Sequence, residues 1–586
     1  MKVTSDSAKR SPVAFRFGVM CYGPVMRQWE VQSVRHLLDA GLAKPVLVII
    51  DASQEGKRIG ERLLNHGRPY RPPHGLGLFL NRSRALAPWS LEQLLPGIPR
   101  IRCAPIESGP ETGHFSQRDI AEIAACRLDF ILRFAFRTIR GDVLNIPRYG
   151  IWSFLHGRHD DHLARAPLFR EMYGGESVVR VLLERLTDER ESTAVLREGY
   201  VNTIKHSYGQ SIDNVYFEAA RWPARQCRVL LRTSERAGKA SAQLTGAKKH
   251  VEPGLPEAVI LALKLLRNLV KTKLQALFCH PQWNIGIVRA PVHRFLEPGA
   301  LPEPQYLPGL QKGTLRADPF GLMRNGRLTL LFEELEYESS KGIITAVQVA
   351  DSGATLSSQT VFDMPFHMSY PYLFEHDGQV YCVPETAENR RISLFAAADF
   401  PNSWEKVTDI GEEVSAVDTT VFHYEGRWWI AFTDREEGAD LSLFLWYGRE
   451  LTGPWTPHAL NPVKTDARSS RPGGTPFLHN GVLYRPTQDC SESYGAKVVI
   501  NRVRRLTPDE FEEEPAAVVE PPRNGPFPDG LHTLSSVGEI TVLDALRTVF
   551  VPVLFRRAVR GGTVKAFRFL RSLSGGGLSV DHGPHR

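Results

Sequence analysis

The stretch "YPYLFEHDGQVYCVPE", residues 370–385, reads as a short strand, a turn at Gly378 and a second apolar strand that ends on an acid. The pattern returns in "DPFGLMRNGRLTLLFEE" from Asp318, "DTTVFHYEGRWWIAFTD" from Asp418, "GGTPFLHNGVLYRPTQD" from Gly473 and "LHTLSSVGEITVLDA" from Leu531. The turn glycines fall at 326, 378, 426, 481 and 538, and four units close on an acid at Glu334, Glu385, Asp434 and Asp489. A repeat of about fifty residues is the length of one four-stranded propeller blade. Further strands lie between the hairpins, such as "GIITAVQVA" (342–350), "RISLFAA" (391–397), "LSLFLWY" (441–447) and "KVVINRV" (497–503). Five units predict a five-bladed β-propeller over 283–546, with "NIGIVRAPVHRFL" (284–296) helping to close the ring.

The first strand of each blade lines the central channel, so residues that open those strands converge. Asp318, Pro371, Asp418 and Arg471 form that ring, joined by Glu385, Gln488 and Asp489 at second-strand ends. Of these, Asp318, Glu385, Asp418, Arg471, Gln488 and Asp489 are the candidate substrate-binding residues. Acids gathered around one arginine suit a polyol or an anion. Trp428 and Trp429 alternate faces on one strand, one for the core and the other for the surface or a sugar-stacking platform.

This half resembles the five-bladed arabinanase-like glycosidases. It is more similar to the propeller domain of plant glucosamine inositolphosphorylceramide transferases, through "ADPFG" (317–321), "YPYLFEHDGQVYCVPE", "VDTT" (417–420), "GPWTPH" (453–458) and "RPTQD" (485–489). The glycosidase resemblance implies a base Asp opening the first blade, a second Asp opening the third and an acid Glu in the fourth. Asp318 and Asp418 fit the first two, but the fourth blade offers Gly473-Gly474 after Arg471. An inverting hydrolase needs two carboxyls around a water, so glycan binding or glycan transfer is preferred to hydrolysis. Acids that merely cap blade turns are the plainest alternative.

The front half alternates differently. "FRFGVMCYG" (15–23) and "PVLVIID" (45–51) are apolar strands around a helix in "MRQWEVQSVRHLLDAG" (26–41) that stops at Gly41. This is a βαβ unit with parallel strands. A helix in "SQRDIAEIAAC" (116–126) and strands in "LDFILRFAF" (128–136) and "GIWSFLH" (150–156) continue it, and no G-x-G-x-x-G follows the first strand. Open parallel sheets bind ligands beyond the carboxyl ends of their strands.

Residues 15–200 resemble the formyltransferase family of methionyl-tRNA and sugar N-formyltransferases. The likeness rests on "LDFILRFAFRTIRGDVLNIPRYGIWSFLHG" (128–157), "RAPLF" (165–169) and "LLERLTDERESTAVL" (182–196). It implies a Rossmann-like α/β domain in which Arg133, Phe134, Ala135 and Phe136 hold 10-formyltetrahydrofolate. It also implies His156 as the catalytic histidine, with Glu191 or nearby Asp188 as its carboxylate. The family's asparagine, two residues before the histidine, is Phe154 here, and Ser153 is the nearest hydroxyl. The polar run His159-Asp160-Asp161-His162 reads as a solvated turn, and no metal is expected.

The 586 residues are too many for one core. They divide into a disordered 1–14, an α/β domain over 15–232, a basic linker and amphipathic helix over 233–282, the propeller over 283–546 and a basic tail over 547–586. A formal charge of +7 is mild, and much of the excess sits in the tail, which argues against nucleic acid. Seven dispersed cysteines without a Cys-x-x-Cys pair fit a reducing compartment, so the chain is expected in the cytoplasm. The segment 255–278 carries Lys264, Arg267, Lys271 and Lys273. At bilayer depth these would cost about 2.5–3.5 kcal/mol each. It reads as a connecting amphipathic helix, with a membrane-surface helix as the second reading, and the tail is a further option for peripheral membrane contact. The functional expectation is formyl transfer to an amine on an amino sugar or glycan precursor held partly by the propeller. The alternatives are a glycan-binding or glycan-assembly protein whose front domain keeps only the fold, and a glycosidase-like propeller. Whether the front domain is an active enzyme stays open at this point.

Overall fold

A computed structural model describes residues 15–52, 83–107, 112–136, 138–157, 167–188, 192–232, 239–243 and 254–551, except 298, 300, 301, 312, 338, 340 and 351. The expected disordered N-terminus, the 159–162 turn, Glu191 and nearly all of the basic tail lie outside the described residues. The chain forms two compact units, Met1–Leu269 and Val270–Arg586.

The first unit is built on an eight-stranded mixed sheet. Five strands run parallel in the order Arg100–Cys103, Ala43–Asp51, Phe15–Cys21, Phe130–Arg133, Ile151–His156. Val178–Arg185, Ser192–Asn202 and Lys239–Gln243 then continue the sheet antiparallel. The parallel part follows from helical crossovers, and the short 186–191 connection allows only an antiparallel hairpin. The strands of the expected βαβ unit do run parallel, while the sheet as a whole is mixed. Phe17, Val19 and Met20 are buried because the first strand is central and covered on both faces. Trp29, Val31, Val34 and Leu37 bury one face of the Gln28–Asp39 helix. That helix ends where Gly41, at φ 63°, turns its N–H back to the Leu38 carbonyl at 2.9 Å.

The second unit is a five-bladed β-propeller. The first blade comprises Thr314–Arg324, Arg327–Glu336, Gly342–Val349 and Thr355–Phe362, and the second Ser369–His376, Gln379–Glu385, Arg391–Asp399 and Ser403–Glu412. The third comprises Ala416–Tyr424, Arg427–Asp434, Ser442–Gly448 and Thr456–Pro457, with Lys464–Thr465 also paired to its third strand. The fourth comprises Phe477–His479, Val482–Asp489, Lys497–Leu506 and Phe511–Val519. The fifth joins Leu534–Val537 and Ile540–Phe550 to Cys279–Val288 and Gln305–Tyr306, so strands from both ends of the unit share one sheet. This closes the ring, as expected for 284–296.

The repeat was visible because its turns are sterically demanding. Asn325-Gly326, Asp377-Gly378, Glu425-Gly426 and Asn480-Gly481 all place both central residues at positive φ, between 49° and 77°. That is the type I′ hairpin, whose twist matches the flanking strands. Trp428 and Trp429 do alternate faces, but both are buried, at 6% and 1% exposure. Each face of a blade packs against a neighbouring blade, so neither indole is left as a platform: Trp428 meets Phe374 and His376, and Trp429 packs with Leu483 and Phe511.

Ending the chain after Val537 removes the partner of Cys279–Val288. The propeller should then lose its cooperative thermal transition, measured by calorimetry, while the first unit keeps its own.

Candidate functional site

The inner strands of the first three blades share a distortion. Register slips between Ala317 and Phe320, between Ser369 and Tyr372, and between Val417 and Thr420. Inside these bulges Asp318, Tyr370 and Asp418 sit at φ 54°, 41° and 52°. Such conformations cost about 1–3 kcal/mol for a non-glycine residue and gather at functional sites. The second blade therefore offers Tyr370 at the position where Pro371 was expected.

Asp418 and Arg471 are the centre of one network. Arg471 Nε donates to Asp418 Oδ2 at 2.6 Å and its Nη1 to Asp440 Oδ1 at 2.6 Å, and the guanidinium lies 4.9 Å from the Tyr494 ring centre. Gln488 Nε2 donates to the same Asp418 oxygen. Glu385 accepts from the Asp418 backbone N–H at 3.2 Å, and Arg435 approaches its other oxygen at 3.4 Å. Tyr370 ties two blades together, its hydroxyl accepting from Gly474 N–H at 2.8 Å and lying 3.0 Å from Thr420 Oγ1.

Asp318 belongs to a neighbouring triad. His532 Nε2 stands 3.2 Å from Asp318 Oδ1, and its Nδ1 stands 2.8 Å from Asp544 Oδ1. Thr533 donates its hydroxyl to Asp318 at 3.0 Å, while Asp544 accepts the Asp318 backbone N–H at 2.9 Å. Burial disfavours a charged imidazole, yet the two carboxylates outweigh it and push His532 up to about 10. Burial likewise raises Asp318, but the charge and hydrogen bonds of His532 and Thr533 hold it below the usual carboxylate range. Burial pushes Asp418 up to about 7, with Arg471 opposing and Glu385 and Asp318 adding. Burial also raises Glu385, and it raises Glu333 well above its ordinary value with help from Asp318 and Glu385. Asp318, Glu385, Asp418 and Arg471 thus lie within one electrostatic field, and Gln488 touches it. Asp489 instead caps the Ser491 N–H at 2.9 Å and stands 3.7 Å from Lys497.

Glu333, His532, Asp544, Asp440 and Tyr370 were missed by sequence reading. Glu333 pairs with Ala317 as Glu385 pairs with Ser369, so it is the equivalent acid, one residue before the expected Glu334. A single step along a strand reverses the face, and Glu334 instead meets Arg316 and Thr345. The alignment of Asp318-Pro319 with Tyr370-Pro371 was the signal available for Tyr370. Asp318, His532 and Asp544 have ligand atoms within 4.8 Å of one another, the spacing of a metal set. In this arrangement the imidazole lies between the two carboxylates.

In the first unit, His156 ends its strand among aromatic rings. It stacks on Tyr216 at 4.0 Å between centroids and meets Trp29 edge-on at 5.3 Å, with Phe154 stacked at 5.9 Å. Burial, with Arg27 nearby, pulls its pKa down to about 3, so the ring is neutral and a weak base. Ser153 accepts from Arg133 Nη1 at 2.9 Å, and Asp188 accepts from the Gly141 N–H at 2.8 Å on another loop. Arg133 Nη2 also donates to the Phe136 carbonyl at 2.9 Å, and the Phe134 N–H donates to Met20. Ala135 is buried in the same segment.

The sequence family described as "Glucosamine inositolphosphorylceramide transferase 1, N-terminal" matches residues 311–525, which run from the first blade through the fourth. A glucosamine inositolphosphorylceramide transferase 1 from Arabidopsis thaliana is 35% identical over 203 residues, 34% of this chain and 26% of that protein. A protein of the same name from Oryza sativa subsp. japonica is 34% identical over 209 residues, 34% of this chain and 27% of its own length. The chain thus spans about a quarter of the length of these relatives. Among solved structures, Zg3597, a family 117 glycoside hydrolase of Zobellia galactanivorans, overlays with a TM-score of 0.31 and 13% identity. It covers 46% of this chain and 91% of its own. These comparisons overturn the expectation of formyl transfer: the curated relatives are named glucosamine inositolphosphorylceramide transferases.

Two outcomes follow for the axial cluster. Tyr370→Phe leaves a buried Gly474 N–H without its acceptor and should cost about 1–3 kcal/mol, read by chemical denaturation. His532 titrates near 10 when folded against 6.5 ordinarily, so its stabilisation is complete below 6.5 and lost as pH rises through 10. The propeller's melting temperature should fall between pH 7 and 10, and His532→Gln should flatten that slope.

Proposed function

We propose that this chain takes part in glycan transfer, and that its propeller binds an amino sugar at the axial cluster. The observation that carries the reading is that Asp318, Glu385 and Asp418, from three blades, are buried and share one field around Arg471, with Arg435 beside Glu385. Arg471 is paired with Asp418 and Asp440 and His532 with Asp318 and Asp544, so four acids meet two cations and the excess charge of the cluster is acidic. Carboxylates in that setting accept from sugar hydroxyls and from a protonated amine, and they repel a bare phosphate. The names of the curated relatives support a glucosamine-bearing substrate, and the match covers the blades that carry most of these residues. Hydrolysis gains no support, because Gly473 and Gly474 stand where the resemblance calls for an acid. For the first unit the reading stops at an α/β domain with a Rossmann-like parallel half, to which no reaction is attached.

The test is calorimetric titration of the full chain with glucosamine, N-acetylglucosamine and myo-inositol phosphate. Glucosamine should bind best, and Asp418→Asn should weaken it roughly 10- to 100-fold through loss of a charged hydrogen-bond partner. Absence of binding to all three, or equal binding by parent and variant, would sink the assignment.

A further inference from the structure

The Leu255–Phe278 helix has two apolar faces, and only one is packed. Ala258, Leu261, Ala262 and Leu265 are buried. Val259, Leu263, Leu266, Val270 and Leu274 recur at steps of three and four along a second stripe, and all are 38–61% exposed. Solvent-exposed Arg267 and Lys271 border this stripe on one side and exposed Lys273 on the other, at 3.6 residues per turn. Lys264 is turned away, donating to the Tyr173 carbonyl at 2.7 Å. Glu257 is the only acid in the helix, in its first turn. No described helix is long and apolar enough to cross a membrane.

We infer that this stripe is a docking face for an anionic membrane surface, with the helix lying in the plane of the headgroups. Apolar side chains enter the acyl boundary while the flanking cations meet lipid phosphates and carboxylates. Charge selects this occupant over the chain's own C-terminal segment. Residues 552–586 carry seven Arg and Lys against one Asp, so they would meet like charge along the borders of the stripe. The inference is independent of sugar binding by the propeller and stands on different residues.

The test is co-sedimentation of the full chain with phosphatidylcholine vesicles, with and without phosphatidylserine, at low and high salt. The parent should bind the anionic vesicles, and salt should release it. Arg267→Gln with Lys271→Gln should weaken binding about 25-fold, at roughly fivefold per cation. Leu266→Glu with Val270→Glu should weaken it roughly 100-fold or more, because each change places a charge in the acyl boundary. All four positions are exposed, so melting temperatures should match the parent and separate lost docking from lost folding. Equal binding to neutral vesicles, or unchanged binding by both variants, overturns the inference, and the second result would assign docking to the tail. Sedimentation velocity supplies the remaining check: a parent dimer that Leu266→Glu with Val270→Glu converts to monomer would assign the stripe to a second copy instead.

Discussion

Ten consecutive residue pairs, from Cys279 opposite Phe550 to Val288 opposite Thr541, hold the propeller shut. The first and fourth blades flank the fifth, so each depends on that closure for a neighbour on one face. The clusters that fill the spaces between blades show the dependence. Ile285 and Val542 come from the closing blade and Leu330 and Val347 from the first, and the two sets face each other only when both ends of the unit meet. The pairing also fixes the site, because Asp544 lies on one closing strand and accepts the Asp318 N–H on the first blade.

The axial cluster buries several charges, which is costly unless each is paired. Here the payment is mutual. His532 lies between Asp318 and Asp544, while Arg471 bridges Asp418 and Asp440, so two cations are held by four acids. Glu333 and Glu385 are pushed toward the protonated form, which limits the repulsion the remaining carboxylates face. Strained φ angles at Asp318, Tyr370 and Asp418 aim these groups inward, and the interblade hydrogen bonds of Tyr370 help to hold that geometry.

The first unit uses burial to the opposite end. His156 is placed at a strand end where a parallel sheet would present a ligand, yet aromatic packing strips the imidazole of charge. A residue type that suggests proton transfer in a sequence becomes a neutral ring among Trp29, Phe154 and Tyr216. Ser153 and Asp188, the other residues expected to act with it, have hydrogen-bond partners of their own.

The sequence by itself determined the blade count, the ring closure and five residues of the axial cluster, Asp318, Glu385, Asp418, Arg471 and Gln488, because these depend on local signals. An Asn-Gly or Asp-Gly turn forces its hairpin wherever it stands, and a residue opening an inner strand must face the channel. Other features depended on registers that only long-range pairing sets. The choice of Glu333 over Glu334 turned on a bulge two residues long on the facing strand. His532 and Asp544 gained their meaning from a triad spanning residues 318 to 544, and both tryptophans became core because blades stack on both faces. The same holds for the second apolar stripe of the 255–278 helix. Periodicity marks apolar faces, but only packing decides which of them is covered.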